Sequence, residues 1–318
     1  MWYFLSKFDL SNSKITIIRR IVQIVAFIFI NYIIIEVIFS TNLKAFDEYM
    51  RVLPVLNSPR NPLSEGSGFV EYIFFFMAEG EFPFLIIGIF VLLILFTNRF
   101  FCGWICPIGT IQDCLTALPA KKKTINIDTH NTLVKTKYLI IVLLLIIIVP
   151  LGVTRLTNIA FHNNYKDNLG PWADQAVGFF SLSEYIFVFF PNLMGEIWEN
   201  WETTALEPLF SNFWIFIFFL FYLIIIFLAI FYPRFYCRYF CPYGAIAAAI
   251  SDYSFLKLSR NPVRCVGRSD CGLCERVCPK QVRILDEPFE FFTGKGECNL
   301  CLTCKEKCPY EAINLKFG

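Results

Sequence analysis

Residues 99–109 read RFFCGWICPIG, and residues 234–244 read RFYCRYFCPYG. One phrase occurs twice, matching at Arg99/Arg234, Phe100/Phe235, Cys102/Cys237, Cys106/Cys241, Pro107/Pro242, Gly109/Gly244 and Ile111/Ile246. Upstream, Glu71-Tyr72-Ile73-Phe74 recurs as Glu184-Tyr185-Ile186-Phe187, with an insertion expected around 191–210 of the second copy. A duplicated unit is therefore the frame for the fold. Each copy closes an apolar run with two thiols and a proline. Proline is favoured at the first position of a helix, where no N–H is needed. Helices are predicted from Pro107 through Leu118 and from Pro242 through Phe255, with Cys106 and Cys241 at their caps. The exposed N–H groups and the positive dipole end there favour a thiolate or an anionic cluster.

The runs that feed these thiols are long. The chain has 318 residues, is 56% hydrophobic and carries 37 Phe, against ~45–50% apolar for an ordinary soluble domain. Four runs, about 17–39, 82–101, 137–153 and 210–232, reach the ~20 residues that cross a bilayer. Asn98 and Arg99 predict a break at the end of the second. Stretches 70–77 and 178–190 are too short to span and read as interfacial or re-entrant. No cleavable signal pattern opens the chain, so the first span is expected to be retained.

Charge orients these spans. Segments 40–81 and 154–209 together hold 5 Lys/Arg and 13 Asp/Glu, and the rest of the chain holds the other 23 Lys/Arg. Both termini and the 97–137 loop are expected in the cytoplasm, in a multi-pass protein of the cell membrane whose first partner is the lipid bilayer. All 13 Cys fall in the predicted cytoplasmic segments or at the inner membrane edge. That placement argues for metal ligation over disulfides. Each half then reads as two spans and one Cys-x3-Cys-Pro, giving parallel repeats about an axis along the membrane normal. Such an axis puts both phrases on one side at one depth; if they lie near it, Cys102, Cys106, Cys237 and Cys241 converge on one site, and the alternative is two separate thiol pairs. Four thiolates there suit an iron–sulfur cluster or Zn²⁺, and a dithiol relay also fits. Cys114 faces Ala249 in the alignment and reads as an ordinary core cysteine.

After Leu258 the composition changes. Cys298-x2-Cys301-x2-Cys304-x3-Cys308-Pro309 is the bacterial ferredoxin run, and Cys265-x5-Cys271-x2-Cys274-x3-Cys278-Pro279 departs from it only in its first gap. The fourth cysteine of each run ligates the other cluster in such proteins. One [4Fe–4S] cluster would take Cys265, Cys271, Cys274 and Cys308; the other would take Cys298, Cys301, Cys304 and Cys278. Paired C-x2-C also occurs in zinc ribbons, but two four-cysteine runs that each end in Cys-Pro favour iron–sulfur.

With these motifs the chain resembles the NapH/NosR/CcoG-type polytopic membrane ferredoxin-like proteins, over roughly 70–318. The resemblance implies electron transfer between a quinone pool or an assembly pathway and a redox partner protein, within a membrane complex. The flavin domain of one branch has no room here, and the stretch Leu53-Pro54-Val55-Leu56-Asn57-Ser58-Pro59 lacks the cysteines that some relatives carry.

The expected fold is mainly α: a polytopic membrane helical bundle of two parallel two-span repeats, 1–135 and 136–258, and a two-cluster ferredoxin-like α+β domain, 259–318. The expected function is an electron-transfer subunit using two tail clusters, a third cluster or metal at the membrane site, and a quinone as candidate ligand. Alternatives are a maturation factor that reduces a metal or thiol for another enzyme, and a scaffold whose clusters hold its tail. Only His130 and His162 are present, in loops expected on opposite sides, which excludes an intramembrane bis-His haem. His162 and Trp172 are weak candidates beside a quinone. No nucleotide motif and no basic patch interleaved with aromatics appears, so nucleic acid is excluded.

Overall fold

The computed structural model describes residues 14–30, 69–169, 177–199 and 213–318. The stretch Leu53 to Pro59, Trp172 and the ends of the expected spans at 31–39 and 210–212 lie outside the described residues. Mostly helical, the chain runs through α1 Lys14–Ile30, α2 Phe69–Ala78, α3 Phe84–Thr97, α4 Phe100–Trp104, α5 Pro107–Ala117, α6 Ile127–Thr157 and α7 Ile159–Leu169. A 3-10 turn Gly178–Phe180, a helical turn Leu182–Glu184 and a π turn Tyr185–Phe189 lead into α8 Phe190–Glu199. Then come α9 Phe213–Phe231, α10 Phe235–Tyr239, α11 Pro242–Ser251, β1 Leu256–Arg260 and β2 Ile313–Phe317.

Among the described residues, two helices, α6 and α9, are long and apolar enough to cross a membrane. Over 138–153 of α6 and along α9 the exposed positions are themselves apolar, among them Leu139, Val142, Ile146 and Val153 on α6, and Leu223, Ile224 and Phe227 on α9. A helix facing water would carry charge there. At 14 residues, α3 measures ~21 Å, less than the ~30 Å of a hydrocarbon core. It stops where the sequence breaks: Asn98 takes φ 57° and ψ −139°, outside both the right- and the left-handed helical regions. Its amide donates to Ser254 Oγ (2.7 Å) and the Leu256 carbonyl (2.9 Å), tying the break to the start of β1.

The elements around the two cysteine phrases recur at the same offset, α4 with α10 and α5 with α11, and both proline-started helices have a cysteine at the cap. α5 stops one residue before the expected end. α11 stops at Ser251, short of Phe255, because the chain turns there into β1. The halves interleave, with α5 lying on α9 and α11 on α3 and α6. One core joins Ile140, Leu144 and Ile148 of α6 to Val70 and Phe74 of α2 and Phe90 and Ile94 of α3. A second joins Ile108 of α5, Tyr222 and Ile225 of α9, and Tyr236 and Tyr239 of α10. The ring of Tyr243 meets Phe90, and that of Tyr236 meets Tyr222. Both partners lie about two turns inside their helices, so the cysteine segments pack against the bodies of α3 and α9. The short stretch 178–190 reaches the same depth: the Tyr236 hydroxyl donates to the Phe180 carbonyl (2.7 Å) and accepts from Leu182 N–H (3.2 Å).

Three sequence expectations are corrected. His130 lies within α6 and hydrogen-bonds the Tyr239 hydroxyl at 2.8 Å, because α6 begins ten residues before its apolar part. His162, expected in a solvated loop, is buried on α7 with Nδ1 3.1 Å from the Leu151 carbonyl. Cys114 is exposed, because that face of α5 turns away from the core.

In the tail, β1 and β2 pair antiparallel, Leu256 opposite Phe317 and Arg260 opposite Ile313. β1 starts before the composition break at Leu258. A small core of Leu258, Val282, Ile284, Phe292, Leu300, Cys304 and Ile313 lies beneath it.

Candidate metal centres

Twelve cysteines line three cavities, four to each. Cys102, Cys106, Cys237 and Cys241 line one. Cys265, Cys271, Cys274 and Cys308 line a second. Cys278, Cys298, Cys301 and Cys304 line a third. All are free thiols. Each tail cavity takes three cysteines from one run and the last cysteine of the other.

The surroundings of the first cavity follow from the duplication. Arg99 of one half lies over Gly244 of the other, with Nη2 3.1 Å from where a Cβ would be; Arg234 lies over Gly109 at 3.7 Å. Gly244 thus makes room for the Arg99 guanidinium, while at Gly109 the close approach is to the Cys102 carbonyl, 2.8 Å from where a Cβ would be. Arg234 has a positive φ of 54° and is held by Asp113 at 2.7 and 2.9 Å and by the Cys102 carbonyl at 3.0 Å. Arg99 pairs instead with Glu297 of the tail at 3.2 Å and with the Gly296 carbonyl at 2.9 Å. Glu297 also takes Lys137 and sits 4.0 Å from Lys280. Burial would raise this carboxyl, but the Arg99, Lys280 and Lys137 cations outweigh it and hold Glu297 at about 2.

Hydrogen bonds reach the sulfurs. Gln112, fully buried, donates from Nε2 to Cys237 Sγ (3.0 Å) and accepts the Cys237 N–H at 3.4 Å. Gly244 N–H donates to Cys241 Sγ, Val282 N–H to Cys278 Sγ and Ala312 N–H to Cys308 Sγ, at 3.3, 3.4 and 3.4 Å. Burial and then Cys301 push the Cys298 thiol up to about 12, and the same two causes push Cys278 to about 11. Without a cation these thiols stay protonated at neutral pH, so loading a metal group releases protons.

Each cavity also contains a lining residue with a buried nitrogen that has no hydrogen-bond partner: Arg99 Nε, Arg260 Nε and Asn299 Nδ2. All three are donors. Four thiols and a spare donor fit an anionic, acceptor-rich group such as a cluster with bridging sulfides. Among the described residues, no three His, Cys, Asp or Glu side chains form a group suited to a single metal ion. The cysteine sets enclose a volume instead.

A family model described as a 4Fe-4S binding domain matches twice, over residues 80–126 and 213–261. Each match contains one Cys-x3-Cys-Pro phrase, and both end before Cys265. Among curated proteins, an uncharacterized protein of Methanocaldococcus jannaschii is 28% identical over 234 residues, covering 72% of this chain and 76% of that one. YccM of Escherichia coli (strain K12), provisionally named an electron transport protein, is 27% identical, covering 74% of this chain and 55% of its own. These matches support an iron–sulfur electron-transfer family. The chain aligns with only about half of YccM. No solved structure gives a significant match.

Sequence reasoning singled out the cysteines but missed Gln112, Asp113, Lys280 and Glu297. The Arg99/Arg234 duplication was a signal for the guanidinium pair. Gln112 and Asp113 face Ala247 and Ala248 in the repeat, so alignment of the halves hides them.

Proposed function

We propose that this chain is a membrane-bound electron-transfer protein, of the NapH/NosR/CcoG-like kind, that links a quinone pool or membrane redox partner to a cytoplasmic partner. The observation that carries this reading is the sorting of twelve cysteines into three four-cysteine cavities. Cys265, Cys271, Cys274 and Cys308 would hold one [4Fe–4S] cluster, and Cys278, Cys298, Cys301 and Cys304 another. Cys102, Cys106, Cys237 and Cys241 would hold a third, in agreement with the two 4Fe-4S family matches on those segments. Clusters so held supply one-electron chemistry at potentials set by charge, burial and hydrogen bonds to sulfur.

The chain's own residues shape the membrane site for that task. Arg99 and Arg234 offset the negative charge of four thiolates, Gln112 and Gly244 N–H donate to sulfur, and aromatic rings exclude water. Orientation is supported by the packing: Thr16 of α1 hydrogen-bonds Glu306, and Lys137 of α6 reaches Glu297. The first turn of α1 and the N-terminal third of α6 therefore meet the tail, as a shared cytoplasmic side requires.

Iron and acid-labile sulfide counts on purified protein test the reading. About twelve iron atoms per chain are expected, falling by about four in Cys102→Ser or Cys237→Ser and not in Cys114→Ser. A count of about eight that those substitutions leave unchanged overturns a membrane cluster. Reduction of the clusters by a quinol analogue is expected; oxidation only by a copper or thiol substrate would favour the maturation role.

A further inference from the structure

The three cavities are not equivalent in position. Lys280 lines both the membrane cavity and the cavity of Cys278, Cys298, Cys301 and Cys304. It follows Cys278 by two residues, is almost fully buried, and donates from Nζ to the Cys237 carbonyl at 2.9 Å. A short covalent path and one hydrogen bond thus join a ligand of one set to a ligand of the other. Further contacts converge on the same tail segment. Arg19 donates to the Cys301 carbonyl (3.2 Å) and Trp104 to the Leu300 carbonyl (2.9 Å). Gly103, between Cys102 and Cys106, lies so close to Asn299 that any Cβ would overlap its carbonyl oxygen. The cavity of Cys265, Cys271, Cys274 and Cys308 differs. Its lining comes wholly from the tail, and Val266 and Tyr310 beside it are exposed, as is nearby Val263.

We propose that the three sites form a line. The Cys278/Cys298/Cys301/Cys304 site is the inner junction, against the membrane site, and the Cys265/Cys271/Cys274/Cys308 site is the terminal one, where a soluble one-electron partner exchanges electrons with the chain. This rests on the iron–sulfur reading above and adds an order to it. The unequal first gap in the sequence then has a place: Cys265 and its longer loop lie at the outer end, where the backbone is free of the membrane helices.

The full chain in detergent, loaded with iron and sulfide and reduced with dithionite, tests the order by electron paramagnetic resonance. Spin coupling between the membrane-site signal and a tail signal is expected in the unaltered protein. The coupling should be lost in Cys301→Ser/Cys304→Ser and kept in Cys265→Ser/Cys271→Ser. The reverse pattern overturns the order. A dysprosium chelate added to the unaltered protein needs no variant: it should speed the relaxation of the tail signal that is not coupled to the membrane site. Its acting instead on the coupled signal also overturns the order. About twelve iron atoms with the wrong coupling pattern would sink the order alone, whereas about eight would sink the membrane cluster beneath it and the order with it.

Discussion

Gln112 and Asp113 are neighbours on α5 with separate tasks. Gln112 is held at both ends by Cys237, its amide nitrogen on the sulfur and its oxygen on the N–H. A hydrogen bond to a ligand sulfur raises the reduction potential by stabilising the more negative, reduced state. Gln112→Leu should leave the iron count unchanged and lower the potential of the membrane centre alone. One hydrogen bond is worth about 1 kcal/mol, or roughly 40 mV for one electron; a redox titration followed by electron paramagnetic resonance reads it. Asp113 gathers Arg234 and Arg20 within 3.0 Å and accepts from Gln23 at 2.9 Å. Arg234 and Asp113 are both buried, so removing one leaves the other charge short of its partner. Arg234→Met should cost about 3–5 kcal/mol. Adding Asp113→Leu should recover part of that, a coupling that thermal unfolding of the two single variants and the double variant in detergent measures.

The tail docks on elements that the duplication made alike and substitution then made different. Position 103 is Gly on α4 and Arg238 on α10 at the same place. The glycine admits the Asn299 backbone, while Arg238 is buried against His130 and Gln281. Position 113 is Asp on α5 and Ala248 on α11. Arg99 finds no acid on α11, and the tail supplies Glu297, whose neighbour Gly296 lies against the Ala248 carbonyl with a φ of 76°. Gly103→Ala should therefore loosen the tail by about 1–3 kcal/mol, seen as faster proteolytic release of the segment after Ser251. Gly88→Ala in α3, where a Cβ would meet open space, should give no such release. Sequence spacing reveals the α4–α5 and α10–α11 elements because proline, cysteine and glycine act within a few residues. The crossed grouping of the tail cysteines is not local in this way; it is legible only through the ferredoxin pattern, in which the fourth cysteine of each run joins the other set. The docking is hidden, since Glu297 and Arg99 lie far apart in the chain with no shared period. The burial of His162 is hidden too, because nothing near it in sequence marks α7 as folded back on Leu151.

Across the whole molecule, stability has two sources that respond differently to loss of metal. The helices pack through Ile140, Leu144, Ile148, Tyr222 and Ile225, with apolar faces outward; Cys106, Cys237 and Cys241 only border that core, so the helices should persist in detergent without metal. The tail is built the other way. Its core contains the Cys304 side chain, and Cys274, Cys278 and Cys298 pack against it; its helices are single turns of four residues. Without bound metal groups, the two tail sites would place four thiols each around a gap within a segment of about 60 residues. A domain that small draws much of its folding free energy from its metals. A strong iron chelator under reducing conditions should therefore expose the tail to protease, while the far-ultraviolet helical signal of the membrane part falls only slightly. Docking adds a further expectation: Glu297, Lys280 and Asn299 lie within the same segment as the inner ligands, so the contacts to Arg99 and Gly103 should fail together with the tail. A fluorescent label on Cys114, exposed on α5 and not among the residues lining the three cysteine cavities, would report whether α5 keeps its place on α9 when that happens. An unchanged label signal with a cleaved tail is the expected result, and loss of both at once would mean that the two halves of the molecule share one source of stability.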